Sequence, residues 1–162
     1  MQKGKKIDII TAHLNQDKLK GNKIIYCGGG LSACDSALEI AMEDKNTTII
    51  EMLGEVAIND HFINKAALIP MLKQHKVEIY TNHKVLEITS EGVKTVSKDG
   101  NDVFIKGGDT IVSAFGMRPN NSLAEKISSK YHTKTCIVGD CQKVGKVGNA
   151  VREGFYAGQY IV

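Results

Sequence analysis

The stretch Tyr26-Cys27-Gly28-Gly29-Gly30-Leu31-Ser32-Ala33 decides the fold. It fits the pattern G-x-G-x-x-[GA], with Ala33 in the last place. Each small residue answers a physical demand. Gly28 lets the chain turn sharply out of a strand, and Gly30, without a Cβ, lets a phosphate approach the backbone. Ala33 lets the following helix pack close to the strand, so that the helix N-terminus offers its N–H groups to an anion. The pattern alone is weak, since a tight turn can need glycines for steric reasons only. Its context is more telling. Residues 23–27 are apolar and β-branched and read as a buried strand. Residues 31–43 carry Leu31, Cys34, Leu38 and Met42 at helical spacing. Residues 47–50 form the next strand, closed about twenty residues after Gly28 by the carboxylate of Glu51. Such a carboxylate accepts hydrogen bonds from an adenosine ribose and repels a 2′-phosphate. No Arg or Lys follows in Met52-Leu53-Gly54-Glu55 to receive one. The ligand expected from these residues is therefore NAD(H) rather than NADP(H). The competing reading makes the glycines purely structural and Glu51 an ordinary strand-end residue.

Working outward, residues 6–12 are a short apolar stretch expected as a strand or the remnant of one, and residues 15–22 a polar loop. Residues 64–74 read as a helix interrupted near Pro70, and residues 77–80 as a strand. This β-α-β-α-β alternation argues for a parallel sheet with helices on its faces. Residues 84–89, 92–97 and 102–106 are short alternating segments. They are separated by Ser90-Glu91-Gly92 and Lys98-Asp99-Gly100-Asn101, which are turn chemistry, so a three-stranded antiparallel meander is expected. Residues 110–114 form one more strand, ended by Pro119. Ser122 is placed to cap a short helix over 123–127. Residues 135–138 are expected as a strand stopped by Gly139-Asp140, and residues 148–162 as a final helix.

Composition excludes several classes. At 162 residues, 42% hydrophobic and 24% charged, the chain is an ordinary globular protein with room for a core. The net charge of +3 is scattered except for Lys3, Lys5 and Lys6, which are too few to make a nucleic-acid face. No apolar run approaches the ~20 residues of a membrane span, and Met1-Gln2-Lys3-Gly4 does not read as a signal peptide. A cytoplasmic protein is expected, its four cysteines reduced. Cys27 and Cys34 read as buried small residues. Cys136 and Cys141 stand too far apart along an extended strand for disulfide reach. His13, His61, His75, His83 and His132 are dispersed, with no metal-binding spacing.

Three phrases in order carry a family resemblance. They are Gly28-Gly29-Gly30-Leu31-Ser32-Ala33-Cys34-Asp35, then Asp109-Thr110-Ile111-Val112-Ser113-Ala114-Phe115-Gly116-Met117-Arg118-Pro119-Asn120, then Cys136-Ile137-Val138-Gly139-Asp140-Cys141. Together they resemble the pyridine nucleotide–disulfide oxidoreductase superfamily of flavoproteins, over nearly the whole chain. The phrases Gly116-Met117-Arg118-Pro119-Asn120-Asn121-Ser122-Leu123 and Ala150-Val151-Arg152-Glu153-Gly154-Phe155 are similar to the NADH:flavin oxidoreductases that also carry an Old Yellow Enzyme-like barrel, namely 2,4-dienoyl-CoA reductase and 2-enoate reductase.

The resemblance implies an α/β fold: a Rossmann-like parallel sheet with the meander, and a C-terminal strand and helix from a second dinucleotide-binding domain. It implies that residues 1–20 are a linking segment of an FAD domain, 21–114 an NADH-binding domain, and 115–162 the trailing part of the FAD domain. Gly139 and Asp140 match the turn whose aspartate bonds the FAD ribityl chain. Asp35 stands where the family has Glu near the nicotinamide, and Gly116 lines the nicotinamide side. The cofactor-binding candidates are thus Gly28, Gly29, Gly30, Leu31, Ser32, Asp35, Glu51, Met52, Gly116, Gly139 and Asp140. No residue is assigned a catalytic role. In such a parent NADH passes hydride to the flavin. The FAD pyrophosphate loop, the barrel, the FMN site and the iron–sulfur cysteines of these enzymes have no counterpart here. The chain therefore reads as a fragment that does not retain FAD, with apolar surface free for self-association. The alternative from another class is a non-catalytic nucleotide-binding or interaction module.

Overall fold

The computed structural model describes residues 5–131 and 135–160, arranged as two compact units divided between Gly116 and Met117. The expectations for Met1-Gln2-Lys3-Gly4, for Lys3 of the basic cluster, for His132 and for residues 161–162 of the final helix lie outside those residues.

The first unit is built on five parallel strands. They are β1 (Lys5–Asp8), β2 (Lys23–Cys27), β3 (Asn46–Ile50), β4 (Glu78–Tyr80) and, far along the chain, β8 (Thr110–Ser113). Their order is β1-β8-β2-β3-β4, all neighbours parallel. One face is covered by α1 (Ile9–Leu14), α2 (Leu31–Met42) and α3 (Phe62–Gln74). The other carries the antiparallel meander β5 (His83–Ile88), β6 (Gly92–Ser97), β7 (Asp102–Lys106). Alternation along β2 builds both interfaces. Ile24 and Tyr26 pack among Ala33, Ala37, Ile40 and Leu72 on the helical side, while Ile25 and Cys27 pack with Ile50, Ile111, Val93 and Ile105 toward the meander. Strands covered on both faces read as continuous apolar runs, as β2 does. Deep on the helical side the Tyr26 hydroxyl is bonded to Ser36 Oγ at 3.0 Å.

The second unit contains α4 (Ser122–Tyr131), a 3₁₀ turn over Gly139–Cys141 and α5 (Val147–Tyr160). Neither helix has a buried residue.

The α/β architecture, parallel sheet and meander are as the sequence implied, with four local corrections. The stretch 6–12 is a strand only to Asp8. There the Asp8 carboxylate accepts from Thr11 N–H at 2.9 Å, caps α1 and turns Ile9–Leu14 into helix. The helix around Pro70 is not interrupted. Pro70 and Ala66 are exposed, so the carbonyl that Pro70 leaves without a donor faces water. Ser122 is the first residue of α4 rather than its cap, its hydroxyl donating to Asn120 Oδ1 at 3.1 Å, and the helix runs on to Tyr131. Residues 135–138 form no strand. Val138 has extended backbone (φ −136°, ψ 161°), yet among the described residues no strand bonds to the segment, and a strand exists only by pairing.

Candidate functional site

The glycine turn stands where the strand order reverses. β2 is flanked by β3, the next strand in the chain, and by β8, the last in the sheet. In open α/β sheets the crevice outside the carboxyl ends at such a switch point is where ligands bind. The carboxyl ends of three strands meet there. Cys27 is in register with Ile50 on one side and Ser113 on the other; Gly28 N–H donates to Ile50 C=O and Ala114 N–H to Cys27 C=O, both at 2.8 Å.

Within the turn the three glycines do different things. Gly28 has φ +111°, and a Cβ there would stand 2.2 Å from the Ala114 carbonyl oxygen, so only glycine fits. Gly29 is buried; its N–H donates to Glu51 Oε2 at 2.6 Å and its C=O accepts from Ala57 N–H at 2.7 Å. Gly30 is exposed, with φ −65° and ψ 169°, and a Cβ there would meet nothing within 4 Å. Gly30 is also the N-cap of α2, with no side-chain cap. The first intrahelical bond is Cys34 N–H to Gly30 C=O, so the N–H groups of Leu31, Ser32 and Ala33 are the orphan donors of the helix start. Open space over uncapped N–H groups at the positive end of a twelve-residue helix is what a pyrophosphate requires. NAD(H) fits this cradle.

Glu51, 9% exposed, lies just beyond β3. Besides the bond from Gly29, its Oε1 accepts from Leu53 N–H at 2.8 Å. Its backbone is tied to β4 by Glu51 N–H to Tyr80 C=O at 2.8 Å and to the start of β5 by His83 N–H to Glu51 C=O at 2.9 Å. Met52 and Leu53 are exposed on the rim, where Leu53 C=O accepts from Asn82 N–H at 2.8 Å. Asn82, at φ +58°, is a rim residue the sequence reading missed. Its position is fixed where the chain leaves β4 to begin the meander, which no local pattern announces.

Asp35 is exposed on the second turn of α2. Desolvation raises its carboxyl above the ordinary value; Asp60 and Glu39 add to this and His13 opposes it. His13 itself reaches α2, with Nε2 3.1 Å from Ser32 C=O. Cys27 and Cys34 are buried, and burial pushes both thiols up to about 12. They are core atoms, not nucleophiles. Gly116, at φ +86°, follows β8 at the carboxyl end of the sheet, exposed.

Gly139 and Asp140 belong to the second unit. Gly139 N–H donates to Glu153 Oε2 at 2.7 Å, and Asp140 Oδ1 accepts from Gly145 N–H at 3.1 Å. The Glu153 bond links the 3₁₀ turn to α5, a role the sequence reading did not give it. Cys136 and Cys141 are free thiols, Cys141 Sγ lying 3.0 Å from Asn120 C=O. Among the described residues no group of His, Cys, Asp and Glu could hold a metal. Among the described residues one strand–glycine–helix turn is present, the one at Gly28, Gly29 and Gly30.

Residues 3–154 match the family model described as pyridine nucleotide-disulphide oxidoreductase. Similar curated proteins include an NADH oxidase from Thermoanaerobacter brockii, 29% identical over 91% of this chain and 22% of that protein. A bilirubin reductase from Mediterraneibacter gnavus is 27% identical over 89% of this chain and 22% of its own length. Among solved structures, 2-naphthoyl-CoA reductase in complex with 2-naphthoyl-CoA superposes with a TM-score of 0.78 at 24% identity, over 96% of this chain and 23% of that one. The chain thus spans 22% of the length of either curated relative.

Proposed function

The chain belongs to the pyridine nucleotide-disulphide oxidoreductase family, and from that premise we propose that its first unit is the NAD(H)-binding part of a larger FAD-dependent oxidoreductase in which NADH reduces the flavin. The observation that carries this reading is the open cradle at Gly30, over the uncapped start of α2 and beside the buried Glu51. Bound NADH supplies a hydride; the protein supplies position and charge. The N–H groups of Leu31 and Ser32 hold the pyrophosphate, Glu51 faces the adenosine ribose, and Met52 lies beside the adenosine end. Asp35 and Gly116 flank the nicotinamide.

The domain reading follows the same line. Residues 21–114 are the NADH domain, 1–20 are the trailing segment that links it to an FAD domain, 115–162 belong to that FAD domain, and Gly139 and Asp140 contribute the ribityl contact once the rest of it is present. The described part of residues 1–20 places β1 in the sheet beside β8. Val147, Val151, Phe155 and Tyr160 on α5, each at least 63% exposed, are the surface on which the remaining FAD half packs, or through which isolated chains associate. A barrel like that of Old Yellow Enzyme would complete the parent. We place the protein in the cytoplasm; no helix among the described residues is long and apolar enough to cross a membrane.

One observation favours a second reading. Both Glu51 oxygens already accept backbone N–H groups, as they would if the glycine turn served structure alone in a non-catalytic interaction module. Calorimetric titration of the purified chain with NADH separates the two. Saturable binding, lost in Gly30→Val, supports the cofactor reading; no heat up to millimolar NADH overturns it.

A further inference from the structure

The segment 51–57 folds back over the glycine turn and holds the Gly29 peptide from both ends. Glu51 Oε2 takes its N–H at 2.6 Å and Ala57 N–H takes its C=O at 2.7 Å, while the other Glu51 oxygen closes the segment on itself through Leu53 N–H at 2.8 Å. The fit is close. A Cβ on Gly29 would stand 2.8 Å from Val56 Cγ1 and 2.9 Å from Glu51 Cβ. Val56 and Ala57 are buried, and Ala57 is held at φ +50°, a left-handed conformation that a residue with a Cβ adopts only when its surroundings impose it.

We propose that Glu51 is a positioning residue, which locks the glycine turn into its phosphate-binding shape before any ligand arrives. A Gly-Gly-Gly run is the most flexible backbone a chain can contain, and its unfastened loop would sample many shapes. Fixing Gly29 leaves Gly30 with its face open and the α2 N–H groups aimed outward, so the ordering cost is met on folding rather than on binding. The ribose contact assigned to Glu51 is then made by lone pairs left over: a carboxylate has about four acceptor sites, and the clasp uses one on each oxygen. This inference rests on the NAD(H) reading for the identity of the phosphate ligand, but the clasp belongs to the chain alone.

The variant that tests it is Glu51→Gln, nearly isosteric, whose carboxamide has one accepting oxygen for two N–H donors. Amide exchange of the full chain, followed by NMR without ligand, should show Gly29 N–H protection falling at least tenfold while amides of β2 and α2 keep theirs. Glu51→Asp, one methylene too short to bridge both donors, should do the same. Unchanged Gly29 protection in both variants overturns the clasp. The positioning role is read with 2′,3′-dideoxy-ADP, which carries a pyrophosphate but no ribose hydroxyl for Glu51 to bind. Its dissociation constant should rise about tenfold in Glu51→Gln. If NADH weakens and this analogue does not, Glu51 is a ribose ligand only and the proposal falls. If the native chain binds neither NADH nor the analogue, the cofactor reading fails instead, and the exchange measurement alone decides the clasp.

Discussion

Replacing Gly30 by Val separates folding from binding more cleanly than any other change in this chain. Gly30 has φ −65° and ψ 169°, extended backbone that a β-branched residue adopts readily, and its Cβ would meet no atom within 4 Å. The variant should therefore fold, with a thermal midpoint within about 3 °C of the native one. The same substitution at Gly28 serves as the contrast. There φ is +111° and a Cβ would stand 2.2 Å from the Ala114 carbonyl oxygen, so several kcal/mol are lost and the fold with them. In Gly30→Val the isopropyl group occupies the space over the α2 N–H groups that the pyrophosphate needs. Two charge-assisted hydrogen bonds from Leu31 and Ser32 are then lengthened or lost, at roughly 1.5–3 kcal/mol each. A loss of about 3 kcal/mol or more raises the NADH dissociation constant by at least about 100-fold. Isothermal calorimetry measures the affinity, and a melting curve establishes that the variant is folded. A folded Gly30→Val protein that binds NADH within threefold of the native affinity would refute the reasoning, since no phosphate could then lie against this turn.

Other outcomes follow from the same structure. NADH should bind at least about tenfold, or 1.4 kcal/mol, more tightly than NADPH, because the 2′-phosphate would face Glu51; equal affinities by calorimetry would remove Glu51 from the ribose site. A thiol reagent should modify Cys136 and Cys141 in the native chain but Cys27 and Cys34 only in denaturant. Rapid native labelling of all four, read by mass spectrometry, would contradict the packed α2–sheet interface. Stability should fall at alkaline pH. Burial raises the Cys27 and Cys34 thiols from 9.0 and the Tyr26 phenol from 10.0, each to about 12. Each group holds its proton more tightly folded than unfolded. Its contribution is therefore complete below the lower value and lost as pH rises toward 12, by up to about 1.4 kcal/mol per pH unit for each group. Urea midpoints that stay level from about pH 8 to about pH 11 would show these groups to be far less buried than described. The purified chain should be colourless and should not oxidise NADH, a flavin absorbance retained through gel filtration being the contrary result. Sedimentation should show association with rising concentration that Phe155→Glu weakens; a monomer at every concentration would leave α5 without that role.

What the sequence disclosed is what short-range chemistry dictates. The strand, glycine turn and helix over 23–42 were legible because sharp turning, close phosphate approach and helix packing each demand a small residue at a fixed place, and Glu51 because it ends the next strand. The meander was legible because its turns are spelled in Asp-Gly and Glu-Gly. What escaped depends on partners distant in sequence. Residues 135–138 have the composition of a strand, but a strand is a relation between two segments, and none of the described residues pairs with them. Pro70 has the local signature of a break, which exposure of Ala66 and Pro70 to water makes tolerable. The N-cap at Asp8 was available to a closer reading, since a carboxylate three residues before Thr11 can accept its N–H. The clasp on Gly29 was not. It needs Ala57 in a left-handed conformation and Glu51 turned inward, and both follow from burial of Val56 against the turn rather than from a pattern of residues. The same carboxylate was legible as a candidate ribose ligand and hidden as a loop fastener. If both roles hold, a charge swap at Glu51 loosens the turn that every dinucleotide shares before it changes which one is preferred. Glu51→Arg should therefore weaken NADH and NADPH together, and reversal of preference should require a second cation on the rim at Met52 or Leu53 while the Gly29 N–H keeps an acceptor.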